Sequence, residues 1–128
     1  MKYMILVNAS QRDYDDMARW SPADFAAMGQ FMEQFSRELT ESGELVDTRG
    51  LTSPAHARRV QGRGTQAVVT DGPYAETQEV LAGYWIVECE SFDRATEIAA
   101  RLTQTPGPGN ADRAYVDVRP IADSRDDL

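Results

Sequence analysis

The residues best suited to chemistry lie in Thr70–Glu79, which reads Thr-Asp-Gly-Pro-Tyr-Ala-Glu-Thr-Gln-Glu. This stretch separates two apolar runs, Ala67–Val69 and Val80–Val87. Gly72 and Pro73 should break a strand, because glycine relaxes the backbone and proline removes an amide donor. The acidic and hydroxyl groups beside the break are therefore expected where a strand ends and a loop begins, a common place for active-site groups.

Asp71 is the first candidate for catalysis, and two interpretations of it remain open. In a half-buried cleft, desolvation would raise its pKa and suit it to general acid–base chemistry. Alternatively, its carboxylate caps the turn by accepting hydrogen bonds from nearby backbone amides, which would lower its pKa. An NMR titration would separate the two, because they predict opposite shifts.

Other polar residues of this stretch also have a functional and a structural interpretation. Tyr74 could donate a hydrogen bond to a substrate oxygen, or its ring could pack under the loop. Gly72, Pro73 and Glu76 are candidate ligand-binding residues. Glu76 and Glu79 also suit solvated acids at a loop or helix start.

The positively charged candidates are the single histidine and several arginines. His56, with Arg58 expected on the same strand face, could bind an acidic group or be an ordinary surface residue. Arg63 and Arg119 could bind an anion or be solvated charges at strand ends. A lone histidine is too little for a metal site, and no nucleotide-binding motif is present, so neither metal nor cofactor is expected.

The length of the chain and its net charge limit the classes of protein to which it can belong. The chain has 128 residues and a formal net charge of −8, which suits one domain that lacks the basic surface needed for nucleic acid or anionic membranes. Cys89, the one cysteine, lies in an apolar run and suits a packed thiol better than a nucleophile. A lone thiol fits a reducing cytoplasm, and Met1–Val7 is too short for a signal peptide or a membrane span.

Apolar periodicity predicts two helices. Ser21-Pro22 should begin the first, with Asp24 in its first turn, and Gly43 should end it. Its apolar face consists of Phe25, Met28, Met32, Phe35 and Leu39. This face could line a ligand pocket, although core packing is the commoner role. Ser91 should begin the second helix, whose apolar face consists of Ala95, Ile98, Ala99 and Leu102.

Strands are predicted over Met1–Asn8, Glu44–Leu51, Gln66–Thr70, Val80–Glu90 and Arg113–Arg119, with a polar loop over Ala9–Trp20. This order suits an α+β domain over residues 1–121, with a polar tail over residues 122–128. The expected fold is a ferredoxin-like split βαβ antiparallel sheet with both helices on one face. The first and fourth strands are apolar on both faces, so a second copy is expected to cover the other face, giving a homodimeric α/β barrel.

The central stretch also resembles a known family. Val69–Glu79, followed by Leu81-Ala82-Gly83-Tyr84-Trp85, is similar to the motif of the YCII-related family, in its DGPF branch. The opening Met1–Met4 and the closing Val116–Pro120 resemble it too. The resemblance implies a ferredoxin-like fold and a dimeric α/β barrel. The family's activity is mostly unassigned; some relatives are thought to be enzymes, and others are joined to or encoded with sigma-factor regulators.

Three positions relate this chain to the family motif. Asp71 matches the aspartate of the motif, Tyr74 stands where phenylalanine is usual, and Gln78 stands where lysine is common. For the shorter relatives a histidine and an aspartate are proposed as a catalytic pair, with the histidine early in the chain, but Met1–Val46 contains no histidine. Two hypotheses follow: a small enzyme that uses Asp71 on a polar organic molecule, or a non-catalytic ligand-binding or regulatory module.

Overall fold

Six strands and three helices make up the part of the chain that the computed structural model describes, residues 1–110 and 114–128. In chain order they are β1 (Lys2–Ala9), α1 (Gln11–Met17), α2 (Pro22–Glu41), β2 (Leu45–Gly50), β3 (Arg58–Arg63), β4 (Gln66–Asp71), β5 (Val80–Glu88), α3 (Phe92–Leu102) and β6 (Asp117–Pro120). Four strands form an antiparallel sheet in the order β2-β5-β1-β6. This α+β arrangement is consistent with the predicted ferredoxin-like fold. None of the helices in these ranges is long and apolar enough to cross a membrane.

The core lies between one face of this sheet and the helices α2 and α3. In the central strands, Tyr3 and Ile5 of β1 lie opposite Val87 and Trp85 of β5, and all four are buried. The edge of Phe35, from α2, packs against Trp85 with ring centroids 4.9 Å apart. Helix α3 adds the four apolar residues predicted for its buried face, Ala95, Ile98, Ala99 and Leu102.

The two long helices begin where the sequence predicted. The Ser21 hydroxyl accepts a hydrogen bond from the Asp24 amide, and the Asp24 carboxylate accepts one from the Ser21 amide. This reciprocal capping box satisfies two amides that would otherwise lack partners. Ser91 caps α3 in the same way by accepting from the Arg94 amide.

The predicted polar loop over Ala9–Trp20 is wrong, because Gln11–Met17 is a helix. Ser10 and Asp13 form a second capping box, with the same three-residue spacing as at Ser21. The run of aspartates was interpreted as part of a solvated loop, but one of them, Asp13, belongs to the first turn of a helix. The Tyr14 hydroxyl fixes the helix by donating to the carbonyl oxygen of Leu51, at 2.8 Å.

The final strand is shorter than predicted. It covers Asp117–Pro120 and pairs with β1 only between Tyr3 and Leu6. On its other edge, the β1 pairing with β5 is irregular just beyond this point, because Val7 pairs with Gly83 and Asn8 with Leu81, which leaves Ala82 of β5 as an extra residue, as in a β-bulge. The predicted start of this strand, Arg113, lies outside the described residues.

Strands β3 and β4 form a separate two-stranded sheet that stands away from the core. Gly64, with a φ of +63°, lies in the two-residue turn between them. Every residue of this hairpin is exposed, including Val60 and Val69, which lie opposite each other with 65% and 59% of their surface exposed. An isolated hairpin of this kind is marginally stable, so its base needs anchoring.

The other face of the main sheet is only partly covered by its own chain. Met4 lies opposite Ile86, and Leu6 opposite Tyr84, and all four are half-buried. Both faces of β1 and β5 were expected to be covered, but helices α2 and α3 cover one. We call the half-covered side, with these four residues at its centre, the open face.

A half-buried ion pair joins α3 to β2. The Arg94 guanidinium donates two hydrogen bonds to Glu44, at 2.8 and 2.9 Å, and the Glu44 side chain is 15% exposed. Arg94 lowers the pKa of Glu44 from its ordinary value of 4.5. Since the pKa is lower in the folded state, the pair stabilises the fold above the unfolded-state pKa and loses this effect as the pH falls through the folded-state pKa.

We therefore expect Glu44→Gln to reduce the free energy of unfolding by about 1–2 kcal/mol at pH 7. The difference from wild type should shrink as the pH falls below about 4, where protonation removes the charge in both states. Urea unfolding at several pH values measures this. Glu33→Gln is the control, because Glu33 pairs with Arg37 while 72% exposed, and it should have little effect. A loss at Glu44 that does not change with pH would contradict the account.

Candidate functional site

Asp71 lies at the end of β4, at the base of the hairpin. Its carboxylate accepts a hydrogen bond from Arg58 Nε across the hairpin, at 2.8 Å. The two side chains are 79% and 73% exposed, respectively. The partner of this carboxylate is thus a side chain on the neighbouring strand. The enclosure that acid–base chemistry requires would have to come from another molecule.

The candidate residues around Asp71 hold the base of the hairpin together. Gly72, with a φ of +54°, donates its amide to the carbonyl of Ala57 at 2.8 Å. Tyr74 is half-buried, and the Arg59 guanidinium lies 5.2 Å from its ring centroid, a cation–π contact. This confirms the break in the strand at Gly72-Pro73 and places the Tyr74 ring against β3.

His56 does not share a strand face with Arg58, which corrects the sequence prediction. It ends a short 3-10 turn, Pro54–His56, directly before β3, and it is exposed. Pro54 fills the first position of this turn, where its missing amide is tolerated. Arg63 and Arg119 are exposed at the ends of β3 and β6.

The loop after Asp71 docks on α1. The carbonyl of Glu76 accepts the amide of Arg12 at 3.0 Å, and the Gln11 side chain accepts the amide of Ala55 at 2.9 Å. The last residue of the stretch, Glu79, accepts a hydrogen bond from the hydroxyl of Tyr115. The central stretch is therefore connected, through α1 and Glu79, to a second region of the molecule.

That second region is a cavity of about 300 Å³ between α1, α2, the end of β1 and the loop after α3. Most of its wall is apolar and includes Val7, Met17, Trp20, Met28, Met32 and Val116. The apolar stripe of α2 thus has two roles. Its first half lines the cavity with two methionines, whereas its second half places Phe35 and Leu39 in the core.

Trp20 forms part of the cavity wall and is held from two sides. Its ring centroid lies 5.7 Å from that of Phe25, and its far edge meets the backbone of Gly107. A Cβ atom at position 107 would lie 2.2 Å from Trp20 Cη2, so a side chain there would force the ring to move. Glycine is therefore required at this contact between the Pro-Gly-Pro-Gly loop and Trp20.

The lining also includes polar and acidic side chains from several segments. Among them are Asp13, Tyr14, Asp16, Glu79, Asn110 and Tyr115. Burial raises the pKa of Tyr14, and the hydrogen bond to Glu79 raises the pKa of Tyr115. Both phenols therefore keep their protons, which they donate to the Leu51 carbonyl and the Glu79 carboxylate, so their oxygens are left to accept hydrogen bonds.

The cavity could not be predicted from the sequence, because its walls come from distant segments. Met28 and Met32 were predicted either to line a ligand pocket or to pack in the core. Asp71 does not line it, and of the central stretch only Glu79 does.

Cys89 lies in the core with 8% of its surface exposed, and its thiol donates to the carbonyl of Ser91. Burial raises the pKa of this thiol, which disfavours the thiolate needed for nucleophilic attack. Within residues 1–110 and 114–128, no group of three His, Cys, Asp or Glu side chains is arranged to hold a metal ion.

The comparisons with known proteins agree with the family resemblance. A sequence model of the YCII-related domain matches residues 1–118. An uncharacterized protein from Rhizobium meliloti (strain 1021) is 28% identical over 103 residues, which cover 80% of this chain and 80% of that relative. The chain therefore belongs to the YCII-related family, while its assignment to the DGPF branch stays a prediction.

Proposed function

We propose that this member of the YCII-related family binds a small organic molecule in the cavity beside α1 and α2. The observation that carries the proposal is the cavity itself, about 300 Å³ in volume, with a largely apolar wall that also includes Tyr14 and Tyr115. Ligand sites in proteins combine a largely apolar wall with a few convergent polar groups, and this volume is at the small end of their range.

Two features of the wall suit it to a ligand. Methionines line it at positions 17, 28 and 32, and their unbranched, polarizable side chains adapt to different molecular shapes. Tyr14 and Tyr115 contribute phenol oxygens, which can accept a hydrogen bond from a polar group of the ligand, since each hydroxyl already donates its proton within the protein. The bound molecule is therefore a small one with an apolar body and one polar end.

A thermal-shift screen of small amphipathic compounds tests the proposal. A compound that binds only the folded protein stabilises it by about 2.7 kcal/mol at a concentration 100-fold above Kd. Hits should compete with one another for one site per chain. The proposal fails if compounds that stabilise the protein bind equally well after the cavity has been filled by mutation.

A second candidate is an acid–base enzyme that uses Asp71 and is assembled from two copies. The observation that favours it is the exposed hairpin base, where Arg58 pairs with Asp71 and the neighbouring Arg59 lies against the Tyr74 ring, beside the exposed valines of the hairpin. A second copy packed on the open face would cover Met4, Leu6, Tyr84 and Ile86 and form a dimeric barrel. Light scattering that gives a stable monomer at micromolar concentration would overturn this dimer.

Asp71→Asn separates catalysis at this residue from a purely structural role. Because the Arg58–Asp71 pair is exposed, we expect the variant to change the free energy of unfolding by less than about 1 kcal/mol. If Asp71 is the catalytic acid or base, any turnover found for wild type should disappear in this variant. Copurification with a partner protein, without turnover in wild type, would instead support the regulatory role that the family resemblance implies.

A further inference from the structure

Methionine sulfurs and aromatic rings are concentrated in the wall of the cavity. Six of the described lining residues are of these two kinds: Tyr14, Met17, Trp20, Met28, Met32 and Tyr115. The methionines among them are three of the five in the whole chain. A thioether sulfur attracts an aromatic ring, and two aromatic rings attract each other beyond what the buried apolar area contributes. The wall therefore offers groups that distinguish an aromatic ring from a saturated one.

We infer that the cavity binds a molecule with a single aromatic ring more tightly than one with a saturated ring of the same size and the same polar group. This inference rests on the proposed binding function and specifies the chemical class of its ligand. The polar group is a hydrogen-bond donor such as a hydroxyl, because the phenol oxygens of Tyr14 and Tyr115 are left to accept.

The rings of the wall are held in place by contacts within the protein. Trp20 packs against Phe25 with ring centroids 5.7 Å apart. The hydroxyls of Tyr14 and Tyr115 each donate a hydrogen bond to a group elsewhere in the chain. Since these contacts are present before a ligand arrives, the rings need little further ordering on binding, and such preorganisation favours affinity.

The methionines are the adaptable part of the wall. Met17, Met28 and Met32 are half-buried, so each keeps apolar surface that a ligand can cover. Their unbranched side chains can bring the sulfur to the edge of a bound ring. A cavity of about 150 Å³ is enough for benzene. The volume here, about 300 Å³, therefore has room for one ring and a short substituent.

The test compares benzyl alcohol with cyclohexylmethanol, which share a hydroxymethyl group and differ in whether the ring is aromatic. The saturated ring has the larger apolar surface, so burial of area alone would make cyclohexylmethanol bind more tightly. The inference predicts the reverse order, with the Kd of benzyl alcohol lower by about threefold or more in calorimetric titration. The pair 2-phenylethanol and 2-cyclohexylethanol tests a longer substituent.

A leucine variant then assigns the preference to the cavity. Met32→Leu keeps the size of the side chain and removes its sulfur, so it should reduce the ratio of the two Kd values by weakening benzyl alcohol. Met4→Leu, on the open face, is the matched control and should leave the ratio unchanged. An equal reduction in both variants overturns the assignment to the cavity wall.

The remaining outcomes separate this inference from the binding function. Equal Kd values within each pair, or tighter binding of the saturated compounds, overturn the inference and leave the binding function standing. Failure of all four compounds, while the thermal-shift screen yields other ligands of the cavity, also overturns the inference alone. Failure of these four and of every compound in the screen overturns the binding function as well.

Discussion

Phe35→Ala is expected to lower the free energy of unfolding by about 3–5 kcal/mol. Phe35 is 1% exposed and packs edge-on against Trp85 with ring centroids 4.9 Å apart. Phe31 stacks on it at 6.1 Å, and the Arg101 guanidinium lies 4.9 Å from its ring centroid. Removing the ring leaves a cavity among side chains that belong to two helices and the central strand, so the surroundings can collapse only in part.

Phe25→Ala is the matched control for this substitution, since it changes the same residue type on the same helix. Phe25 is 39% exposed, so its loss should reduce the free energy of unfolding by only about 1 kcal/mol. Urea unfolding followed by circular dichroism compares the two variants. Equal losses at Phe25 and Phe35 would contradict the division of α2 into a cavity-lining half and a core half.

Met28→Trp is expected to weaken binding of the compound that gives the largest thermal shift in the screen at least tenfold, while the protein stays folded. Met28 is half-buried in the cavity wall, and a larger indole at this position would occupy much of a cavity of about 300 Å³. A folded protein with a filled cavity has no volume left for the hydrocarbon chain of the ligand. Calorimetric titration of the variant measures the loss.

Gln30→Trp provides the control, because Gln30 lies on the same helix but is exposed and does not line the cavity. It should keep wild-type affinity. If the two tryptophan variants bind this compound with the same Kd as wild type, the ligand lies outside the cavity. Circular dichroism of each variant confirms that the helix content is unchanged.

The sequence predicted those parts of the fold that depend on local pattern. Ser21 with Asp24 determines where α2 begins, and the spacing of Ala95, Ile98, Ala99 and Leu102 identifies the buried face of α3. Gly72-Pro73 ends β4 as expected. These features follow from side chains that act within one turn of a helix or one end of a strand.

Features that depend on distant contacts could not be predicted in this way. The aspartates near α1 were interpreted as a solvated loop, whereas Asp13 caps a helix that Tyr14 anchors to Leu51, 37 residues further along the chain. The cavity likewise needs β1, both N-terminal helices and the loop after α3 to be in place.

The candidate site shows the same difference between local and distant information. The motif around Asp71 identified the family and the strand break, but not that the carboxylate is 79% exposed and paired with Arg58. Burial depends on what packs over a residue, and in a single chain nothing near in sequence covers this hairpin. Met28 and Met32 carried the only local signal of a pocket, and the same spacing also fits core packing.

Methyl NMR of the five methionines tests the central claim, that the cavity binds a small molecule, most directly. Met17, Met28 and Met32 line the cavity, whereas Met1 lies at the N-terminus and Met4 on the open face. On titration with the compound that gives the largest thermal shift in the screen, the account predicts saturable shifts of the three cavity methyl signals and none at Met1 and Met4. Shifts confined to Met4 would place the ligand on the open face of the sheet, and together with unchanged cavity signals they would contradict the claim.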